Sequence, residues 1–272
     1  MTESWARTVP LTPYDRPYTA QRPAFTWLLQ REVMRYLRMW HFTIVGQVLA
    51  ALLFVVVFGI AIGGRVDAVH GVPYEQFIVP GLVGLSIVTA GFINGTASLF
   101  EARKDRFIND VLSSPLRWWE INLAIALGSV IRGTLISGAF LSLAMPLTGV
   151  GIARPGVFVA SVVVVLGLSS LGGLLAGLYA KTQEHVAALQ ALIVQPLCFL
   201  GGVFYSVTDL PDSWRAVTYL NPVFYVVQAL RYGMLGYADI PLGLALGVPA
   251  VALVVAAWWT SRIFRTGRIL TP

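Results

Sequence analysis

Six apolar runs, each close to the length that crosses a bilayer, constrain this chain more than any other feature. They lie at 42–62, 77–98, 133–149, 157–180, 187–205 and 242–261. A spanning helix needs about 20 predominantly apolar residues, whereas a barrel strand needs about ten that alternate in character. These runs are continuous, which predicts an all-α integral membrane protein with six transmembrane helices. Composition agrees. Of 272 residues 57% are hydrophobic and 12% charged, against roughly 25% charged in soluble domains, and the mean hydropathy is +0.74.

Orientation follows from the placement of Lys and Arg, which accumulate on the cytoplasmic side of short loops. The N-terminal segment holds Arg7, Arg16, Arg22, Arg31, Arg35 and Arg38. The loop after the second run holds Arg103, Lys104, Arg106 and Arg117, the loop after the fourth holds Lys181, and the tail holds Arg262, Arg265 and Arg268. These fourteen fall on one side; Arg65, Arg154, Arg215 and Arg231 fall on the other. Both termini are therefore expected in the cytoplasm of a multi-pass protein of the plasma membrane. The net charge of +6 is explained by this bias and requires no nucleic-acid partner. No cleavable signal peptide is visible, because four prolines and six arginines precede the first apolar run. The single cysteine, Cys198, lies inside a run and has no intramolecular partner.

Residues 1–23 are Pro-rich and aperiodic, which predicts a disordered lead. From 24 to 40 a helical period places Phe25, Leu29, Val33, Tyr36 and Trp40 on one face and Arg31, Arg35 and Arg38 on the other. A helix of this kind lies in the membrane interface, in contact with lipid. The segment FEARKDRFINDVLSSPLRWWE (100–120) concentrates charge in a charge-poor chain. Phe107, Val111 and Leu112 give it an apolar stripe, Pro115 stops it, and Trp118 and Trp119 mark re-entry to the membrane. A short amphipathic helix over 101–116, lying along the cytoplasmic surface, is predicted. After the fifth run the chain turns semi-polar at Ser206–Trp214, breaks at Asn221-Pro222, and closes with a second apolar run ending in Arg231. That layout predicts a helical hairpin over 206–240 on the outer face.

Arg132 admits two readings: a costly charge near the midplane, functional by default, or a side chain that snorkels to the inner interface if 121–131 extends the third span. The second is favoured. Ser169, Gly173 and Gly177 form a small-residue face suited to close helix packing in lipid.

Several chemistries are absent. There is no GxxxxGK[ST] phosphate loop, no HExxH and no GxSxG, and the three histidines are far apart, so no ATP, metal or hydrolytic site is expected in this chain. An ion-coupled secondary transporter is the rival of another class. It needs ionisable residues near the midplane and often shows inverted repeats; apart from Arg132 the spans hold none, and no repeat is evident.

The hairpin, the charged second loop, YEQFIVPGL (74–82), AKTQEHV (180–186) and LNPVFY (220–225) occur in an order and spacing that resembles type-2 ATP-binding cassette (ABC) exporter permeases, in their YadH-like and daunorubicin-resistance-like branches. The resemblance covers residues 24–272 as one transmembrane domain. It implies that 24–40 is a connecting helix, through Arg31, Arg35 and Arg38. It implies that 101–116 is a coupling helix, with Glu101, Arg103, Lys104, Arg106, Phe107, Asp110 and Val111 touching a nucleotide-binding subunit. It also implies re-entrant outer helices between spans five and six. Two permease copies, forming a homodimer, are implied to pair with two ATPase subunits, in which ATP and Mg are bound. This chain itself binds no cofactor and is no enzyme. The implied path runs between the second and fifth spans, where helical spacing groups Val88, Phe92 and Asn94 with Gln195, Phe199 and Val203. The amides of Asn94 and Gln195 either line this path or bond neighbouring helices. A drug-like or lipid-like cargo moved outward by alternating access is the implied activity; a polysaccharide or lipid-linked glycan exporter is the alternative within the family.

Overall fold

The structure, a computed structural model, describes residues 24–63, 68–104 and 116–266. The expected lead 1–23 lies outside the described residues. So does 105–115 of the expected coupling helix, with Arg106, Phe107, Asp110 and Val111. Among the described residues all regular elements are helical, apart from an isolated bridge between Val69 and Val72.

The helices are α1 (Ala24–Leu37), α2 (Gly46–Phe54, flanked by π-helical turns His41–Val45 and Val55–Ile62), α3 (Tyr74–Lys104), α4 (Trp118–Thr148) and α5 (Pro155–Tyr179). They are followed by α6 (Gln183–Leu189), a π-helical turn Gln190–Val194, α7 (Gln195–Phe199), α8 (Asp212–Leu220), α9 (Pro222–Leu235) and α10 (Leu242–Thr266). Five helices among the described residues are long and apolar enough to cross a membrane: His41–Gly59, Tyr74–Lys104, Trp119–Thr148, Pro155–Tyr179 and Leu242–Arg265. The run expected as the fifth of six spans, 187–205, is shorter in the structure. Its helical part consists of consecutive pieces of seven, five and five residues. At about 1.5 Å per residue that is roughly 25 Å, short of a hydrocarbon core of about 30 Å. The helix ends after Phe199 because Gly202 adopts a left-handed φ of +77° and turns the chain back.

The third predicted run is longer than expected. Its helix begins at Trp118, where the Arg117 amide donates to Glu120 Oε2 at 2.6 Å and caps the first turn. Arg132 therefore sits in mid-helix. It does not reach outward: it is buried, with its guanidinium 5.9 Å from the Tyr36 ring and 3.4 Å from the Thr43 carbonyl. This places it level with the junction of α1 and the first span, and the 118–131 extension packs beside α1.

The helices sort into two ends. At one end Leu28 of α1, Leu99 and Ala102 of α3, Ile121, Ala124 and Ile125 of α4, Leu174 and Leu178 of α5, and Ile263 and Phe264 of α10 form one apolar cluster. At the other, Gln76 Nε2 donates to Thr148 O, the Tyr74 hydroxyl donates to Phe204 O, and the Arg154 amide donates to Gly233 O. The α6–α7 rod runs between these ends. Val186 at its start packs on Phe100 and Ala180, and Val203 beyond its end lies against Gly81, where a Cβ would stand 2.7 Å from Val203 Cα.

Helix α3 is the centre of the bundle. In its most apolar window 67% is buried, against 17% for α10 at the periphery. The small-residue face predicted on α5 meets α3 closely: a Cβ on Gly177 would lie 2.6 Å from Thr96 O, and Gly173 lies against Phe92. Packing of this kind drives association where hydrophobicity cannot, because lipid tails are equally apolar.

The expected hairpin is a 3₁₀ turn (Val207–Asp209) followed by α8 and α9. The Asn221-Pro222 break is a helix start. Asn221 Oδ1 accepts from the Val223 amide at 2.9 Å, and Pro222 occupies the first helical position, where its missing N–H costs nothing. Asn221 Nδ2 donates to Leu197 O at 2.6 Å, tying the start of α9 to α7. Helix α9 has 14 residues, too few to cross, yet most of its side chains are buried.

Candidate functional site

Helix α1 presents part of the face that its periodicity suggested: Tyr36 is buried and Phe25 and Leu29 pack on the core, while Trp40, beyond its end, is exposed. Leu28, Glu32 and Tyr36 point inward, while Trp27, Met34 and Trp40 are exposed. Glu32 is fully buried because two arginines escort it: Arg31 Nη1 lies 2.9 Å from one carboxylate oxygen and Arg35 Nη2 lies 3.1 Å from the other. A glycine makes the room, since a Cβ at Gly128 would stand 2.7 Å from Glu32 Cβ. Arg35 then reaches α3, donating to Asn94 O and Oδ1 at 3.1 Å each and to Glu101 Oε2 at 3.4 Å. Asn94 Nδ2 donates onward to Ser129 Oγ of α4 at 2.9 Å. Burial pushes the Tyr36 hydroxyl up to about 12, so it stays neutral and the node's charge rests on Arg and Glu. This arrangement fastens α1 to α3 and α4. Among the expected connecting-helix residues, Arg31 and Arg35 belong to it and Arg38 is exposed.

A second feature is a groove of about 350 Å³ between the first span, α3 and the α6–α7 rod. Gln47, Phe54, Ser86, Thr89, Gln190, Gln195 and Phe199 contribute to its walls, with no charged residue among them. Phe199 stacks on Phe204 at 5.8 Å, and both rings lie near Phe54, at 6.1 and 5.8 Å, closing one end with aromatic surface. The expected path residues thus divide. Gln195 and Phe199 line the groove; Val88 and Phe92 are half-buried against the main core; Asn94 is enclosed in the α1 node; Val203 is enclosed against Gly81. Gln47 and Gln190 went unnoticed in the sequence, although an amide inside an apolar run is itself a signal.

The third feature is a cleft of about 520 Å³ at the α1 end, formed by Phe100, Arg103 and Lys104 of α3 and by 180–184. Lys104 and Lys181 are exposed there. Arg103 donates to Leu178 O, so it holds the last turn of α5. Glu101, by contrast, is engaged with Arg35. Of the expected coupling helix 101–116, Arg103 and Lys104 line this cleft.

At the opposite end stands a buried ion pair formed by Arg231, the residue that ends the second apolar run of the hairpin. Arg231 is fully enclosed, 3.4 Å from Asp239 Oδ2, with Nη2 donating to Gly202 O at 2.7 Å and the guanidinium 4.1 Å from the Phe77 ring. Gln228 brackets the same aspartate, donating to its carboxylate and accepting from its amide at 2.9 Å each. Gln228 and Arg231 lie one turn apart, and Asp239 follows the left-handed Gly236 that ends α9, which is the spacing that could have revealed it.

Comparison with known proteins bears on the chain as a whole. The profile of the ABC-2 type transporter family matches residues 23–235. The "Inner membrane transport permease YadH" of Escherichia coli (strain K12) is 36% identical over 225 residues, covering 82% of this chain and 88% of the relative. "Nodulation protein J" of Rhizobium meliloti (strain 1021) is 24% identical over 265 residues, 91% of this chain and 97% of the relative. The protein of that name from Sinorhizobium fredii (strain NBRC 101917 / NGR234) is 25% identical over 256 residues, 87% and 91%. With α1 through α9 inside the matched region, the chain belongs to the ABC-2 type transporter family.

Proposed function

We propose that this permease is the membrane subunit of an ATP-driven exporter of the bacterial inner membrane, moving an amphipathic, drug-like or lipid-like molecule outward. Two copies pair around the path and two separate ATPase subunits bind at the α1 end, which faces the cytoplasm. The α6–α7 rod, continued past its helical end by residues 200–205, makes a sixth crossing, and α8–α9 form the outer re-entrant hairpin. The observation that carries the cargo reading is the groove: aromatic and aliphatic surface interleaved with amides and hydroxyls, and no charge. The exposed lysines of the 103–104 and 180–184 cleft support an ATPase contact there. The same amides and hydroxyls also suit the head of a lipid-linked glycan, which is the second reading.

The test uses the permease co-expressed with its ATPase subunit in nanodiscs. Phe199→Ala and Gln195→Ala are expected to shift cargo-stimulated ATP hydrolysis several-fold, with assembly and basal hydrolysis close to the parent. Stimulation by lipid-linked sugars but not by simple amphiphiles would select the second reading. Parent-like response of both variants to every cargo would remove the groove from the path.

A further inference from the structure

Five tryptophans among the described residues are exposed at the α1 end. Trp27 adjoins Leu28, Trp119 stands two residues before Ile121, and Trp258 and Trp259 stand within five residues of Ile263. Leu28, Ile121 and Ile263 all belong to the apolar cluster of that end, and Trp40 stands where α1 passes into the first span. Indole rings gather at the headgroup level of a bilayer, where an apolar body and a polar N–H are both accommodated. The depth of α1 agrees. Glu32 packs on Gly128, ten residues into α4 and so about 15 Å from its start. Helix α4, at 31 residues, is roughly as long as a bilayer with its headgroups is thick, about 45 Å. Helix α1 therefore lies within the thickness of the membrane, not below it.

The outward side of α1 is a groove of about 380 Å³ lined by Trp27, Gln30, Arg31, Met34, Arg35 and Arg38. Residues 27, 31, 34 and 38 follow one another at the spacing of a single helical face. That face alternates apolar and cationic side chains over three turns, and no carboxylate lines it. The acids nearby act from the bundle side: Glu32 engages Arg31 and Arg35, and Glu101 of α3 engages Arg35. Three arginines against two carboxylates leave one positive charge in excess, on the side where Arg38 is exposed. A soluble anion would use the arginines and leave Trp27 and Met34 idle. A lipid uses both, because its phosphate meets guanidinium while its chains meet the apolar side chains.

We infer that this groove seats the headgroup of an anionic glycerophospholipid of the inner leaflet, with its phosphate held by Arg38 and Arg31 and its chains passing Trp27 and Met34. Only the naming of the leaflet rests on the orientation proposed above. Binding is measured without ATP and in symmetric bilayers, so its failure leaves the exporter reading untouched.

The experiment places the full-length permease in phosphatidylcholine nanodiscs with bimane attached at Met39→Cys, an exposed position outside the groove; Cys198 is buried. Quenching by chain-brominated phosphatidylglycerol, against chain-brominated phosphatidylcholine at the same mole fraction, gives the relative binding beside α1. Phosphatidylglycerol is expected to be preferred about fivefold, the weight of one arginine near a membrane surface. The preference is expected to vanish in Arg38→Gln and to persist in Arg265→Gln, which removes a charge at the same end but outside the groove. Should Arg38→Gln fail to assemble, Gln30→Glu puts an acid into the groove and is expected to abolish the preference likewise. Equal quenching by the two lipids in the parent overturns the inference. So does an equal fall in Arg38→Gln and Arg265→Gln, which would show surface charge without a site. Displacement by millimolar inorganic phosphate would make the groove a site for soluble anions. Loss of the preference on adding the ATPase subunit would assign the face to that subunit, and either result contradicts the proposal.

Discussion

Replacing Arg35 by alanine is expected to release α1 from the bundle, an effect far larger than the loss of a surface arginine. Arg35 is the hub of three contacts, to Glu32, to Asn94 and to Glu101. Without it Glu32 keeps Arg31 but loses its second partner inside a fully buried site. Removing one member of a buried pair costs about 3–5 kcal/mol, mainly because the other charge is left uncompensated. For a chain of this size that corresponds to a fall of roughly 10 °C in melting temperature, together with new proteolytic cleavage within 24–40. Arg35→Lys is expected to recover only part of the loss, because an ammonium cannot direct two fixed donors at Glu32 and Asn94 on one side and Glu101 on the other. The double variant Glu32→Gln, Arg35→Met removes both charges and is expected to be milder than Arg35→Ala alone. A parent-like melt for Arg35→Ala would show that the node does not hold α1.

The second large effect is expected at Asp239. Its carboxylate receives Arg231 Nη1, Gln228 Nε2 and the Val207 amide, and both charged side chains are essentially closed to solvent. Asp239→Ala strands Arg231 beside Phe77, again at about 3–5 kcal/mol. The loss is local to the bend at Gly202, whose carbonyl Arg231 holds, and Cys198 lies four residues before it. Cys198 is buried, so its rate of maleimide labelling reports the bend. Labelling is expected to rise at least tenfold in Asp239→Ala and much less in a paired Arg231→Met, Asp239→Leu variant, which removes the charges together. Unchanged labelling and melting in Asp239→Ala would mean that the ion pair does not lock the hairpin.

The long continuous runs were legible because a bilayer permits only helices or closed barrels, and continuity excludes the barrel. The break at Asn221-Pro222 was legible locally, and the structure makes it a capped helix start. What the sequence hid was tertiary. Glu32 lies at helical spacing from Leu29 and Tyr36 and so on the inward face of α1, but what allows a carboxylate there comes from far along the chain: Gly128 makes room for it, and Asn94, held by Ser129, engages its partner Arg35. Asn94 looked equally suited to lining a path and to bonding a helix, and only the position of Arg35 decides which contacts it makes. Arg231 is legible as the end of the hairpin's second apolar run, but its pairing is not, because Asp239 lies beyond the helix stop at Gly236. The length of the fifth run misled for a simpler reason: hydropathy continues through Gly201 and Gly202, but the backbone turns at Gly202.

The central claim is that this permease spends ATP only through a separate subunit docked at the α1 end. Its most direct test is ATP hydrolysis and vesicle uptake measured on three proteoliposome preparations: permease alone, ATPase subunit alone and the two together. The account predicts negligible hydrolysis by the permease alone, and ATP-dependent accumulation of an amphiphile only when both are present and the cytoplasmic face is outward. Hydrolysis by the isolated permease, or uptake driven by an ion gradient without ATP, would contradict it.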